Sequence, residues 1–410
     1  MPNARVFPVN LLLNVLLCSM AAWVLSPHVC GQGVPDKGAL AIVPPVLRLA
    51  PLGKATESPV VTALSIDPSG SYAAAAGDDH VIRLFSLNDI AAPFPQSALL
   101  DGHRDWVQAI EFSPDGSLLA TCAKDGKLQV WKRDNVASAS DAAIGEWKQL
   151  WSIEVSHALF CLKFVGDRAL LVAGFDPAIY RLDLDSLQWS IDHRSESADV
   201  RTLAVSSDKN YLAYGGRDGV VRIKALTSGV RTTREGGFAI AAHNHRVRAL
   251  CFSQNSTMLY SVGEDRRLVG IELATQSVQY QNDLGAGRLM AIERLADDRY
   301  AVSGSDNTIR IIQPSAAPGN ELAGEELTGN EHPGNDKPLE AKLIGFKLIG
   351  HDGTIAVLRA SGDHLFSGSF DTTIRSWDIA SALSGADAQG RFVHPVSSQY
   401  EDSSAREKIR

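Results

Sequence analysis

One phrase recurs along this chain from residue 60 onward: an alternating apolar strand, a Ser-Pro-Asp-Gly-like turn, a second strand, a tight turn around an aspartate, and a third strand. Alternation with a period of two residues between turn signals is the mark of strands with one covered face, which makes the chain all-β. The fullest copies are GHRDWVQAIEFSPDGSLLATCAKDGKLQVWK (102–132) and GHDGTIAVLRASGDHLFSGSFDTTIRSWD (350–378), each opened by Gly-His and closed around a Trp. Weaker copies are placed by their turn aspartates Asp79, Asp176, Asp218, Asp265 and Asp306, which with Asp125 and Asp371 mark seven units. Their spacing is that of units of ~40–45 residues, with one wider step before Asp371. A unit of that size cannot bury both of its faces alone. The 410 residues are therefore read as one continuous array of stacked repeats with short flanks, in place of two or three ordinary domains.

On these residues the chain resembles the WD-repeat family, over about residues 46–380. The resemblance implies a seven-bladed β-propeller of four-stranded antiparallel blades, closed by an N-terminal strand lent to the last blade; Val46 to Leu52 (VLRLAPL) is placed to be that strand. It also implies that a His, a Ser or Thr, the turn Asp and the Trp form a hydrogen-bonded chain within each blade. The matching sets are His103, Thr121, Asp125 and Trp131, and His351, Ser367, Asp371 and Trp377. In the fifth unit His243 or His245 stands with Ser261 and Asp265, but Ile271 occupies the Trp position. By the same resemblance the residue before each turn Asp points into a ring on one face, around the channel mouth: Asp78, Lys124, Phe175, Arg217, Glu264, Ser305 and Phe370, joined by Trp106. Of these, Trp106, Lys124, Phe175, Arg217, Glu264 and Phe370 are the expected partner-binding set, because aromatic and Arg side chains at an interface centre carry most of its affinity.

The flanks read differently. After Arg5 no charge occurs until Asp36, and Val9 to Leu25 is apolar apart from Asn10, Asn14 and Ser19. A short basic start, an apolar centre and small residues around Gly31 and Gly33 are the parts of an export signal over 1–33, followed by a linker over 34–45. The rival is a retained membrane anchor over 9–25, although the run is short against the ~20 residues that span a bilayer. The segment 313–340 is rich in Pro, Gly and acidic residues and reads as a loop between the third and outer strands of the sixth unit; 134–146 is its smaller counterpart in the second. The tail 381–410 reads as disordered.

Several chemistries are disfavoured. Ser367, His351 and Asp371 have the residue types of a hydrolase triad, but Ser367 lies inside a strand and the same constellation recurs with Thr121. Asp183 and Asp185 lack a third ligand or a Gly loop, and no phosphate loop or metal motif occurs, so no cofactor or metal is expected. With 39 Lys+Arg against 47 Asp+Glu the net charge is −8, which opposes a broad nucleic-acid surface. Arg246, Arg248, Arg266 and Arg267 are read as ordinary surface charge. Cys122, Cys161 and Cys251 read as buried free thiols. The expectation is a non-enzymatic, exported platform for one or more protein partners, periplasmic or extracellular. The alternatives are a propeller whose channel holds a small molecule or sugar, and a membrane-anchored assembly factor.

Overall fold

The computed structural model describes residues 44–384 apart from 53–56, 88–95, 135–145, 227–236, 286, 297 and 315–342. Within these residues seven four-stranded antiparallel sheets follow one another along the chain. Blades 1 to 6 span 61–100, 107–154, 159–194, 202–241, 247–283 and 289–349, and blade 7 spans 355–378. Their first strands pack side by side, blade 7 against blade 1 included, and so enclose a central channel. The molecule is a seven-bladed β-propeller.

Burial grades outward and explains the patterning of each unit. The second strands are covered on both faces by neighbouring blades, so Leu118–Ala123 and Ala169–Gly174 are buried at every position and read as unbroken apolar runs. Small residues there, such as the alanines of Tyr72–Gly77, let adjacent blades approach closely. First strands mix buried and half-buried positions, because one edge of each faces the channel. Outer strands such as Trp147–Glu154 are mostly exposed.

The outer strand of blade 7 comes from the start of the described chain. Val46–Arg48 pairs with Arg375–Thr373 in antiparallel register, and the Leu49 N–H donates to the Thr372 carbonyl at 3.3 Å. The strand is shorter than the expected Val46 to Leu52, but Leu49 is buried among Val61, Phe366 and Ile374 and fastens the segment across blades 1 and 7.

Two boundaries move. Gln313 and Pro314 belong to the third strand of blade 6, where they pair with Ile344 and Leu343, so the expected loop from Gln313 begins later. Ser381 is not tail: Ile379–Ser384 forms a helical turn, with the Ser381 N–H and hydroxyl donating to Asp378 and with Ile379 and Ala382 buried beside Trp377. The expected export signal at 1–33, the linker up to residue 43, the acidic loop from 315 to 340 and the tail from 385 onward lie outside the described residues.

Candidate partner-binding face

Six of the seven turn aspartates are held in two ways that share one purpose, to neutralise a partly buried carboxylate at the top of the blade. In blade 7 the Trp377 indole N–H donates to Ser367 Oγ at 2.8 Å, the Ser367 hydroxyl donates to His351 Nε2 at 2.7 Å, and His351 Nδ1 donates to Asp371 at 2.8 Å. The direction follows from indole being a donor only. Burial would raise the Asp371 carboxyl, but hydrogen bonds from His351, Thr373 and the Asp352 N–H outweigh it and hold it well below the usual carboxylate range. Ser367 is fully buried and its hydroxyl is engaged in both directions, so it presents no nucleophile to a substrate.

In blade 2 the expected set of four is only three. His103 reaches Thr121 at 2.9 Å and Asp125 at 3.3 Å, while the buried Trp131 indole N–H meets no partner. Thr121 is branched at Cβ, which restricts its rotamers, and its hydroxyl is used by His103. In blade 5 it is His243 that bonds Asp265 and Ser261, at 2.8 and 2.9 Å; His245 is exposed.

Blades 1, 4 and 6 replace the histidine with an arginine, which the spacing of His and Trp does not reveal. Arg83 pairs with Asp79, Arg222 with Asp218 at 2.8 Å, and Arg310 with Asp306. All three arginines are buried, Arg83 completely. The available signal was Asp-x-x-x-Arg running from turn into strand, where positions four apart share a face. Blade 3 has neither device: Asp176 accepts the Ala178 N–H and lies 3.7 Å from Arg194.

A second feature was hidden in the first strands. Six of the seven skip one residue of register at the same place, between Val61 and Ala63, Val107 and Ala109, Leu159 and Cys161, Val247 and Ala249, Leu289 and Ala291, and Ile355 and Val357. A bulge re-aims the skipped side chain. The skipped residues Thr62, Gln108, Phe160, Arg248, Met290 and Ala356 all line the channel mouth, and Arg201, just before the first strand of blade 4, makes the seventh. The sequence trace is an aliphatic residue, a variable one, then a small one.

These residues surround a cavity of about 420 Å³, at whose rim Trp106, Lys124 and Phe370 also stand. Lys124 Nζ sits 4.0 Å over the Trp106 ring. Phe175 is half exposed, edge-on to Phe160, with the Arg217 guanidinium 4.9 Å above it. Glu264 is turned to Arg246 at 2.8 Å. Two members of the expected ring turn away from it: Asp78 accepts the Val60 N–H and Ser305 Oγ accepts the Arg288 N–H, each bracing its own blade. Cys122, Cys161 and Cys251 are free thiols, outside any disulfide, and burial pushes Cys251 up to about 12.

The family model described as "WD domain, G-beta repeat" matches residues 50–86, 95–132, 186–223, 237–269 and 343–378. The units left unmatched are those ending in the third strands of blades 3 and 6, which have neither the histidine nor the tryptophan yet fold as blades. Among curated proteins, the chain is 23% identical over 198 residues to apoptotic protease-activating factor 1 of Danio rerio, covering 48% of this chain and 14% of that protein. It is 25% identical over 179 residues to transducin beta-like protein 3 of Rattus norvegicus, covering 39% and 21%. It is 26% identical over 173 residues to small ribosomal subunit protein RACK1 of Neurospora crassa, covering 40% and 50%. The chain spans half or less of the length of each of these relatives.

Proposed function

Because this chain belongs to the WD-repeat β-propeller family, we propose that it works as a rigid, non-enzymatic platform that engages a protein partner over the face bearing the His and Asp turns. Propellers of this family typically serve as protein-interaction scaffolds. The observation that carries the choice of face is the exposure of Phe175 and Phe370. Among the described residues the other large exposed apolar side chains are aliphatic, such as Leu99, Leu150, Ile191 and Ile349 on outer strands, whereas Phe370 lines the channel mouth and Phe175 packs edge-on to Phe160, which lines it too. Isolated exposed aliphatics are ordinary, but aromatic rings grouped with Trp106 and cations resemble an interface core.

The test is affinity capture with the native protein as bait, repeated with Trp106, Phe175, Arg217 and Phe370 all changed to Ala and with residues 315–340 deleted, folding being checked by circular dichroism. The ring variant loses the partner and the deletion keeps it. The opposite result assigns the binding to the side where the paired strand ends Pro314 and Leu343 lie, away from the turn aspartates.

We also propose that the chain is exported and loses about its first thirty residues, on the strength of the uncharged run after Arg5. Intact mass of the protein from its native host decides this, since a full-length membrane-embedded species would establish an anchor.

A further inference from the structure

The channel mouth holds more positive charge than the fold uses. Of the charged side chains lining the cavity, Lys124, Lys163, Arg201, Arg248 and Arg359 are cationic and Glu293 alone is anionic, in a chain of net charge −8. Deeper in the channel the charges cancel, Lys163 with Glu111 at 3.2 Å and Arg359 with Glu293 at 3.8 Å. At the rim they do not. Arg246 and Arg248 turn to the same oxygen of Glu264, at 2.8 and 3.7 Å, and Arg201 and Arg217 share Asp199, at 2.7 and 3.4 Å. Lys124 and Arg288 have no carboxylate within ion-pair distance among the described residues.

The arrangement is also crowded and pre-positioned. Burial lowers the Arg248 pKa, Glu264 opposes this, and the charges of Arg246, Arg201 and Arg288 lower it further. The Nε atoms of Arg246 and Arg248 are buried without a hydrogen-bond partner. Arg201 and Arg217 lie against the faces of Phe160 and Phe175, 3.6 and 4.9 Å from the ring centroids, which fixes their planes without consuming their N–H groups.

Resting on the platform reading, we infer that this mouth receives an acidic peptide segment of the partner, a carboxylate side chain seating at Arg248 between Arg201 and Arg288 with adjoining apolar side chains against Phe175 and Phe370. A carboxylate there relieves the repulsion among the guanidiniums and gains paired, charge-assisted hydrogen bonds. This mouth carries a local excess of cations, five against one carboxylate, where the second cavity sets Lys163, Lys209 and Arg294 against Glu111 and Glu293; such a spot in an acidic protein suits a short acidic segment more than a long phosphate backbone.

The probe is fluorescein-labelled hexaglutamate, followed by fluorescence anisotropy on the full chain at low and high salt, with labelled hexauridylate alongside. The native protein binds hexaglutamate, salt weakens the binding, and the Lys124→Gln/Arg248→Gln/Arg288→Gln variant binds at least about tenfold more weakly, equivalent to ~1.4 kcal/mol. Lys209→Gln/Arg294→Gln, at a second cavity near the other ends of the first strands, binds as the native protein does. Should the triple variant fail to fold, Lys124→Gln/Arg288→Gln leaves the Glu264 pairs intact and must still weaken binding. Absence of hexaglutamate binding, equal binding by the variant, an equal loss at Lys209 and Arg294, or tighter binding of hexauridylate overturns the inference. If the triple variant keeps a captured partner that the four-alanine ring variant loses, the acidic-peptide inference fails while the platform stands.

Discussion

Trp131 and Trp377 occupy the same place in blades 2 and 7, are 6% and 2% exposed, and differ in one hydrogen bond. Changing each to Phe therefore separates that bond from the packing around it. Both changes remove part of a buried ring and leave similar voids, at ~1–2 kcal/mol by analogy with other large-to-small changes in cores. Trp377→Phe also breaks the donation to Ser367 Oγ, a further ~1 kcal/mol, although Ser367 keeps its bond to His351. Trp131→Phe breaks nothing and deletes a buried N–H without a partner, whose burial costs ~1–3 kcal/mol. The expected outcome is that Trp377→Phe is less stable than Trp131→Phe by ~2 kcal/mol or more, and that Trp131→Phe is close to the native protein. Equilibrium urea unfolding measures it, provided that fluorescence and circular dichroism give coincident transitions, since repeat arrays can lose cooperativity. Equal midpoints, or a larger loss at Trp131, would refute the reasoning.

Arg83→Met strands Asp79 beside a buried site and is expected to cost ~3–5 kcal/mol in the same assay, with much of the loss recovered in Arg83→Met/Asp79→Leu; no recovery would mean that the pair is not the cause. Leu49→Ala opens a cavity between blades 1 and 7 and lowers stability by ~2–5 kcal/mol, which thermal melting reports. Acid should unfold the protein from a defined point. Asp125, Asp265 and Asp371 lie below the ordinary carboxylate value of 3.8, and Asp192 is drawn to about 2 chiefly by its bond with His193, so the folded state binds fewer protons than the unfolded chain. The stability they supply is complete above about pH 5, declines below about pH 4 and is lost as each folded value is passed; a midpoint that is flat from pH 5 to 2 contradicts the assignment.

Turn chemistry is short-range, which is why seven aspartates were enough to count seven blades, even the two that the family model passes over. The blade-7 ties were legible for the same reason, each position being fixed by its distance from the turn. Trp131 was not, because whether an indole N–H meets a hydroxyl depends on rotamers and sub-ångström packing that residue types do not encode. The arginines of blades 1, 4 and 6 are not legible from the spacing of His and Trp, because a residue of different shape serves the same carboxylate. The channel lining escaped because a one-residue bulge interrupts the alternation by which inward and outward positions are told apart. Val200-Arg201-Thr202 and Val247-Arg248-Ala249 look like any alternating strand until their registers are known.

The clasp between Val46–Arg48 and Thr373–Arg375 joins segments from opposite ends of the described chain. A clasp of this kind fixes the order of events in biosynthesis: the strand that leaves the ribosome first must wait for almost the last one before it has anything to pair with. Contacts so distant in sequence slow the search for the native state, and until they form, blade 7 keeps a bare edge open to pairing with another chain. Closure is the step that turns a string of adhesive hairpins into a body without ends. A nascent chain that stalls short of residue 373 remains such a string, and its fate belongs to chaperones and proteases.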